Sequence, residues 1–398
     1  MATVSDKYEY ALIFLHEARC FNWSLVFRSD VDKAKYERLA SLVLRAFLQE
    51  AQAFPESTLL EHFWSRVCSC NERLDTNVTA LFAIPRVVDS EVIEMVFLRL
   101  DPKTIDWAPI LRMADDMLRY LGFPFFNTGA NVSSSGSGFS IDDTINLSTD
   151  GLLREVHADG GLRGDIVLQS LAVRRDGPRC VVTKKNLRGK VHESGFHEED
   201  TTLFGLNSDE ELPEGYWYFS LARLIPLPCH SNIGFLEWIR IFAGDSCAER
   251  ISAHVHGLRN VFNLELQAYR ALGDLLWAIE ATPTATGHKY IFRRFAPRRG
   301  IPTVFLEDGE ELFFGRGVDH VCLSDQLPDP TLCNVRLAIT QALHASGATR
   351  LVASLKEDAD DTDYASVCFT QDEFLNILNA KLQLAGGSLL LSSEETDR

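Results

Sequence analysis

The chain has 398 residues, 46% hydrophobic and 24% charged, which is more than one core usually holds, since a single core stops growing at roughly 250–300 residues. A formal net charge of −17 argues against a surface that binds nucleic acid throughout and leaves room only for a local basic patch. No apolar run reaches the roughly 18 residues of a membrane span, the opening MATVSDKYEYALIF has no secretory pattern, and nine cysteines without a CxxC pair predict free, mostly buried thiols in a reducing compartment, cytoplasm or nucleus.

Residues 1–125 read as mainly helical. In the run 33–53, Tyr36, Leu39, Leu42, Leu44, Phe47 and Leu48 share one helical face. Residues 57–72, opened by Ser57 as a cap, and the segments 88–99 and 106–121 give further amphipathic helices. Residues 126–164 form a connecting segment, and 127–140, NTGANVSSSGSGFS, have linker composition. This stretch lacks the Lys-Ser/Thr that ends a phosphate-binding Walker loop.

The texture changes at 165, where a second region, 165–350, begins. Strands are expected at 166–173, 179–183, 216–227 and 289–295, and helices at 233–243, 263–280 and 332–346. The class is therefore α+β. Residues 351–398 hold an acidic loop (356–363, KEDADDTD), a short helix and a polar tail.

Two basic runs stand out in this acidic chain. Arg174, Arg175, Arg179, Lys184 and Lys185, extended by Arg188 and Lys190, have only Asp176 against them, and Arg293, Arg294, Arg298 and Arg299 form the second. The first run is the candidate contact for DNA or RNA phosphates. The plainer alternative is a solvated basic loop balanced by the acidic stretch from Glu193 to Glu214.

Several phrases occur in a recognisable order. Arg175-Asp176-Gly177-Pro178-Arg179-Cys180-Val181-Val182-Thr183 comes first, then Ala222-Arg223-Leu224-Ile225-Pro226, Trp238, and a stretch from Asn260 to Tyr269. Tyr290 follows in an expected strand, then Leu327-Pro328-Asp329-Pro330 and Leu343-His344-Ala345-Ser346-Gly347-Ala348. In these phrases the chain resembles the HNH-nuclease (ββα-metal) domain common in fungal proteins. The resemblance implies a small ββα site in which a strand histidine is the general base, an asparagine orients it, and a helix histidine helps hold a divalent metal on a phosphodiester.

On that alignment the three signature positions are Arg223, Asn260 and Tyr269. A guanidinium stays protonated and cannot take a proton from water, and a neutral phenol is a poor ligand for Mg²⁺, Mn²⁺ or Zn²⁺ beside imidazole. His254 and His256 alternate and would face one side of a strand, which makes them the candidate relocated metal pair. Three readings stay open: a pseudonuclease that keeps a nucleic-acid-binding scaffold and needs no cofactor, an active metal-dependent endonuclease with moved ligands, and a protein-interaction module.

Overall fold

The computed structural model describes residues 1–20, 41–84, 87, 89–101, 104–126, 147–158, 162–177, 179–184, 219–227, 233–295, 304–317, 319 and 321–350. The architecture is mixed α+β, mostly helical, with small antiparallel sheets. It divides into two compact units built from interleaved segments: Met1–Asn127, Asn232–Ala248 and Ala338–Arg398 in the first, Thr128–Ser231 and Glu249–Leu337 in the second. Residues 232–248, which the sequence reading kept inside the second region, therefore pack with the N-terminal helices. No helix among the described residues is long and apolar enough to cross a membrane.

The first unit is helical. Its elements are α1 (Val4–Cys20), α2 (Ser41–Ala51), α3 (Leu59–Cys68), α4 (Glu72–Ala83), α5 (Asp89–Val96), α6 (Ala108–Met117), α7 (Phe123–Phe126) and α8 (Ile233–Ala243). The helices expected at 57–72, 88–99, 106–121 and 233–243 are present, the third running on into a π turn at Leu118–Gly122. Of the run 33–53, residues 33–40 lie outside the described residues, as does the segment 127–140. The apolar faces close on an aromatic core in which Phe14 meets Phe63, Trp64, Phe97 and Trp107. Phe242 of α8 packs edge-on against Phe47 of α2. Ser57 does not simply cap its own helix: its hydroxyl donates to the Ile241 carbonyl and accepts from Leu59 N.

The second unit carries the sheets. It contains α9 (Thr149–Ala158), α10 (Leu162–Asp176), β1 (Phe219–Arg223), β2 (Val261–Glu265), α12 (Leu266–Gly273), β3 (Trp277–Thr284), β4 (Gly287–Arg294) and β5 (Glu311–Leu312). Two helices belong to it in part, α11 (Asp245–His254) and α13 (Pro330–Ala345). β1 and β2 pair antiparallel with Arg223 opposite Val261, and β3, β4 and β5 form a second antiparallel sheet. Pro283 is tolerated because β3 is an edge strand.

Three expected elements came out differently. The run 166–173 is helix, inside α10. Val167, Leu168, Leu171 and Ala172 are buried together, which is helical spacing, and a short apolar run does not distinguish that from a buried strand. Gly177, at φ +86°, ends the helix with its N–H on the Val173 carbonyl. The single helix expected over 263–280 is instead the end of β2, α12, and the start of β3. The Glu265 carboxylate accepts from Ala268 N and so starts the helix at that point. Residues 181–183 form a turn, and the strand expected at 216–227 spans 219–223 of its described residues.

Candidate functional site

Most of the phrases that order the second region serve its internal frame. Arg175 is fully buried, and all five of its N–H donors are taken. Nε and Nη2 grip the Asp176 carboxylate at 2.9 and 2.6 Å. The remaining donors reach the carbonyls of Leu258, Gln326 and Val261 at 2.8–2.9 Å. Asp176 also accepts from Gly315 N. Tyr290 donates its hydroxyl to the Pro328 carbonyl at 2.6 Å. Asp329 caps α13 through Thr331 N, Pro330 takes the first helical position, and the other carboxylate oxygen meets Arg250 and Arg259 at 3.0 Å each.

Asn260 belongs to the same frame. It is fully buried. Its Oδ1 accepts from Ile225 N, and its Nδ2 donates to the carbonyls of Ile225 and Val255, each at 2.8 Å. Its own carbonyl accepts from Leu224 N. This side chain orients backbone: it clamps the chain immediately past β1 and so fixes where Arg223 stands.

Around Arg223 the structure gathers four ionisable groups. Arg223 ends β1, Tyr269 stands on α12, Asp165 lies in the first turn of α10, and Arg336 comes from α13. Arg223 Nη2 pairs with Asp165 Oδ1. The arginine side chain is 13% exposed and the aspartate 48%. Arg223 Nη1 is buried with no acceptor among the described residues. Arg336, 1% exposed, donates to the carbonyls of Leu224 and Leu272 and so ties β1 to the end of α12.

Burial pulls the Arg223 guanidinium below its ordinary range, and the charge and hydrogen bond of Asp165 oppose that shift. Burial raises the Tyr269 phenol, which the charges of Arg223 and Arg336 only partly offset. The site therefore holds a protonated guanidinium beside a neutral phenol. Neither offers a lone pair suited to a divalent cation, and Asp165, the carboxylate of this group, is already turned on Arg223. The residues present do not fit the metal that the family resemblance implies.

His254 and His256 do not share a strand face. His254 is the last residue of α11, and His256 lies in the turn after it. His254 Nε2 stands 3.8 Å from Asp329 and 3.4 Å from Arg259 Nη1. Burial, then the Arg259 charge, pull its imidazole below the ordinary range. A cation there would meet two guanidiniums already on the same carboxylate. Among the described residues no group of three or more His, Cys, Asp or Glu side chains is placed to hold a metal ion.

The basic candidates fall into different classes. Arg175 is buried in the frame, and Arg174, 13% exposed, is bonded to Thr149 and lies near Asp319. Arg179 and Lys184 are exposed, while Lys185, Arg188, Lys190, Arg298 and Arg299 lie outside the described residues. Arg293 is paired with Glu280 and Asp308, and Arg294 donates to the carbonyls of Val304 and Leu306. Sequence reasoning passed over Asp165, 58 residues from its partner, because nothing local marks it. Arg336 did carry a signal, a lone cation among the apolar residues of LCNVRLAIT.

Comparison with family models, with curated proteins and with solved structures gives no match to this chain.

Proposed function

We propose that the chain is a pseudonuclease: an HNH-like ββα scaffold that binds nucleic acid without hydrolysing it. The observation behind this reading is the order β1, β2, α12, with Arg223 closing the first strand, Asn260 entering the second, and Tyr269 on the helix. Hydrolysis needs a base to take a proton from water, and loss of base and metal ligand together removes the two terms that accelerate it. Arg223 and Tyr269 supply neither. A phosphate brought to this end of β1 would meet the charge of a guanidinium whose side-chain partner among the described residues is Asp165, which favours holding over cutting.

The test is nicking of supercoiled plasmid by the purified protein with Mg²⁺, Mn²⁺ or Zn²⁺, beside an Arg223→His/Tyr269→His double variant. The wild type is expected to leave the plasmid intact with every metal. Nicking by the wild type that a chelator stops would overturn the proposal. Cleavage by the double variant alone would identify the scaffold as one whose chemistry was lost by substitution.

A further inference from the structure

The segment Phe313-Phe314-Gly315-Arg316-Gly317 is held in place by the Arg175–Asp176 frame. Gly315 N donates to Asp176 Oδ1 at 3.0 Å, and Gly317 N to the Arg175 carbonyl at 2.8 Å. The chains run so close that a Cβ on Gly317 would lie 2.1 Å from the Arg174 carbonyl oxygen, so only glycine fits. Phe314 turns inward against Phe262 and Tyr290. Phe313 turns outward and is 40% exposed. The Arg316 guanidinium carbon stands 4.0 Å from the Phe313 ring centre, and the Lys184 ammonium 5.7 Å from it.

Lys184 is an unusual choice. Its backbone is left-handed, φ +61°, where glycine is the unstrained residue. Partial burial, then the neighbouring Arg316 charge, pull its ammonium below the ordinary range. Neither Lys184 nor Arg316 has a carboxylate at ion-pair distance among the described residues. Two like charges are thus gathered on one exposed aromatic ring in a chain of net charge −17.

We infer that Lys184, Phe313 and Arg316 form a contact surface for single-stranded nucleic acid. The two cations take successive phosphates, and the exposed ring with its stacked guanidinium offers a platform for a base. Cation plus aromatic face suits an unpaired base, whose ring is accessible, better than a duplex, whose bases are stacked inward. Charge alone would suit any polyanion; the exposed ring is what selects the nucleic acid. This deepens the reading above, on which its ligand class rests, and moves the contact away from Arg174 and Arg175.

The experiment is fluorescence anisotropy of a short fluorescein-labelled oligothymidylate with the full chain across a salt series. The wild type is expected to bind more tightly than it binds a duplex of equal length, with affinity falling steeply as salt rises. Lys184→Gln and Arg316→Gln should each weaken binding and each flatten the slope of log affinity on log salt by about 0.7. Phe313→Ala should weaken binding about tenfold with the salt slope unchanged, and Phe313→Trp should restore it. Lys184→Gly, which relieves the backbone, should melt no lower than wild type and still lose affinity, separating binding from folding. No binding by the wild type, equal affinity for duplex, or equal competition by a phosphopeptide would overturn the inference. So would binding that survives all three substitutions but is lost in Arg223→Ala. That last result would leave the pseudonuclease reading standing, with its ligand at Arg223, whereas metal-dependent nicking would sink that reading without touching this surface.

Discussion

Two arginines of the second unit, Arg175 and Arg223, are both withdrawn from solvent, yet their surroundings differ in kind. Arg175 has five donors and five acceptors, including a carboxylate that is itself 2% exposed. Arg223 has one half-exposed carboxylate and a buried Nη1 with no acceptor among the described residues. A buried charge that is fully paired acts as architecture, because any partner removed leaves an unsatisfied group behind. A buried charge that is partly paired keeps bonding capacity for something else.

The sharpest way to break this contrast is Arg175→Met. It strands the Asp176 carboxylate and three carbonyls, and should cost about 3–5 kcal/mol, read as a large fall in the melting temperature. A loss no greater than that of an exposed pair would show that Arg175 is not the frame. Asn260→Leu comes next. It removes all three side-chain bonds to Ile225 and Val255 and should cost about 2–4 kcal/mol in urea unfolding.

Asp329 is an intermediate case, a buried carboxylate whose arginine partners are partly solvated. Burial would raise its carboxyl, but the hydrogen bond and charge of Arg250, then the charge of Arg259, hold it below the ordinary range. A depressed folded value means that its contribution is complete above the unfolded pKa, about 3.9, and is lost as pH falls through the folded one. Asp329→Asn should therefore cost about 1–3 kcal/mol near neutrality and flatten the fall in stability below about pH 4. Denaturant midpoints across that range would check the sign.

The smallest effect is expected from Asp165→Asn. Asp165 is half-exposed and an asparagine amide oxygen can still accept from Arg223, so stability should move by no more than about 1 kcal/mol. Oligonucleotide affinity, by contrast, should rise, because Arg223 would lose its competing carboxylate. A stability loss as large as that of Asn260→Leu would place Arg223 in the frame and erase the contrast between the two arginines.

The sequence by itself determined the α+β class, the helical N-terminal part, and the helices expected at 233–243 and 332–346, the second of which runs Pro330–Ala345. These are legible because periodicity and residue identity are local properties of the chain. It misread 166–173, where four apolar side chains at helical spacing look like a buried strand until a core is present to choose between them. It merged β2, α12 and the start of β3 into one helix, because the Glu265 cap is a single hydrogen bond with no strong local mark. Tertiary structure alone decided that Arg175 is fully paired and Arg223 only partly. Both are arginines in short motifs, and what separates them is the three carbonyls brought to Arg175 from 83 to 151 residues away, against the single carboxylate brought to Arg223 from 58. It also decided that Phe313 faces solvent between two cations while Phe314, its neighbour, is turned into the core. Apart from Asp176, the partners of these two charges are long-range contacts, and no spacing within a motif encodes them.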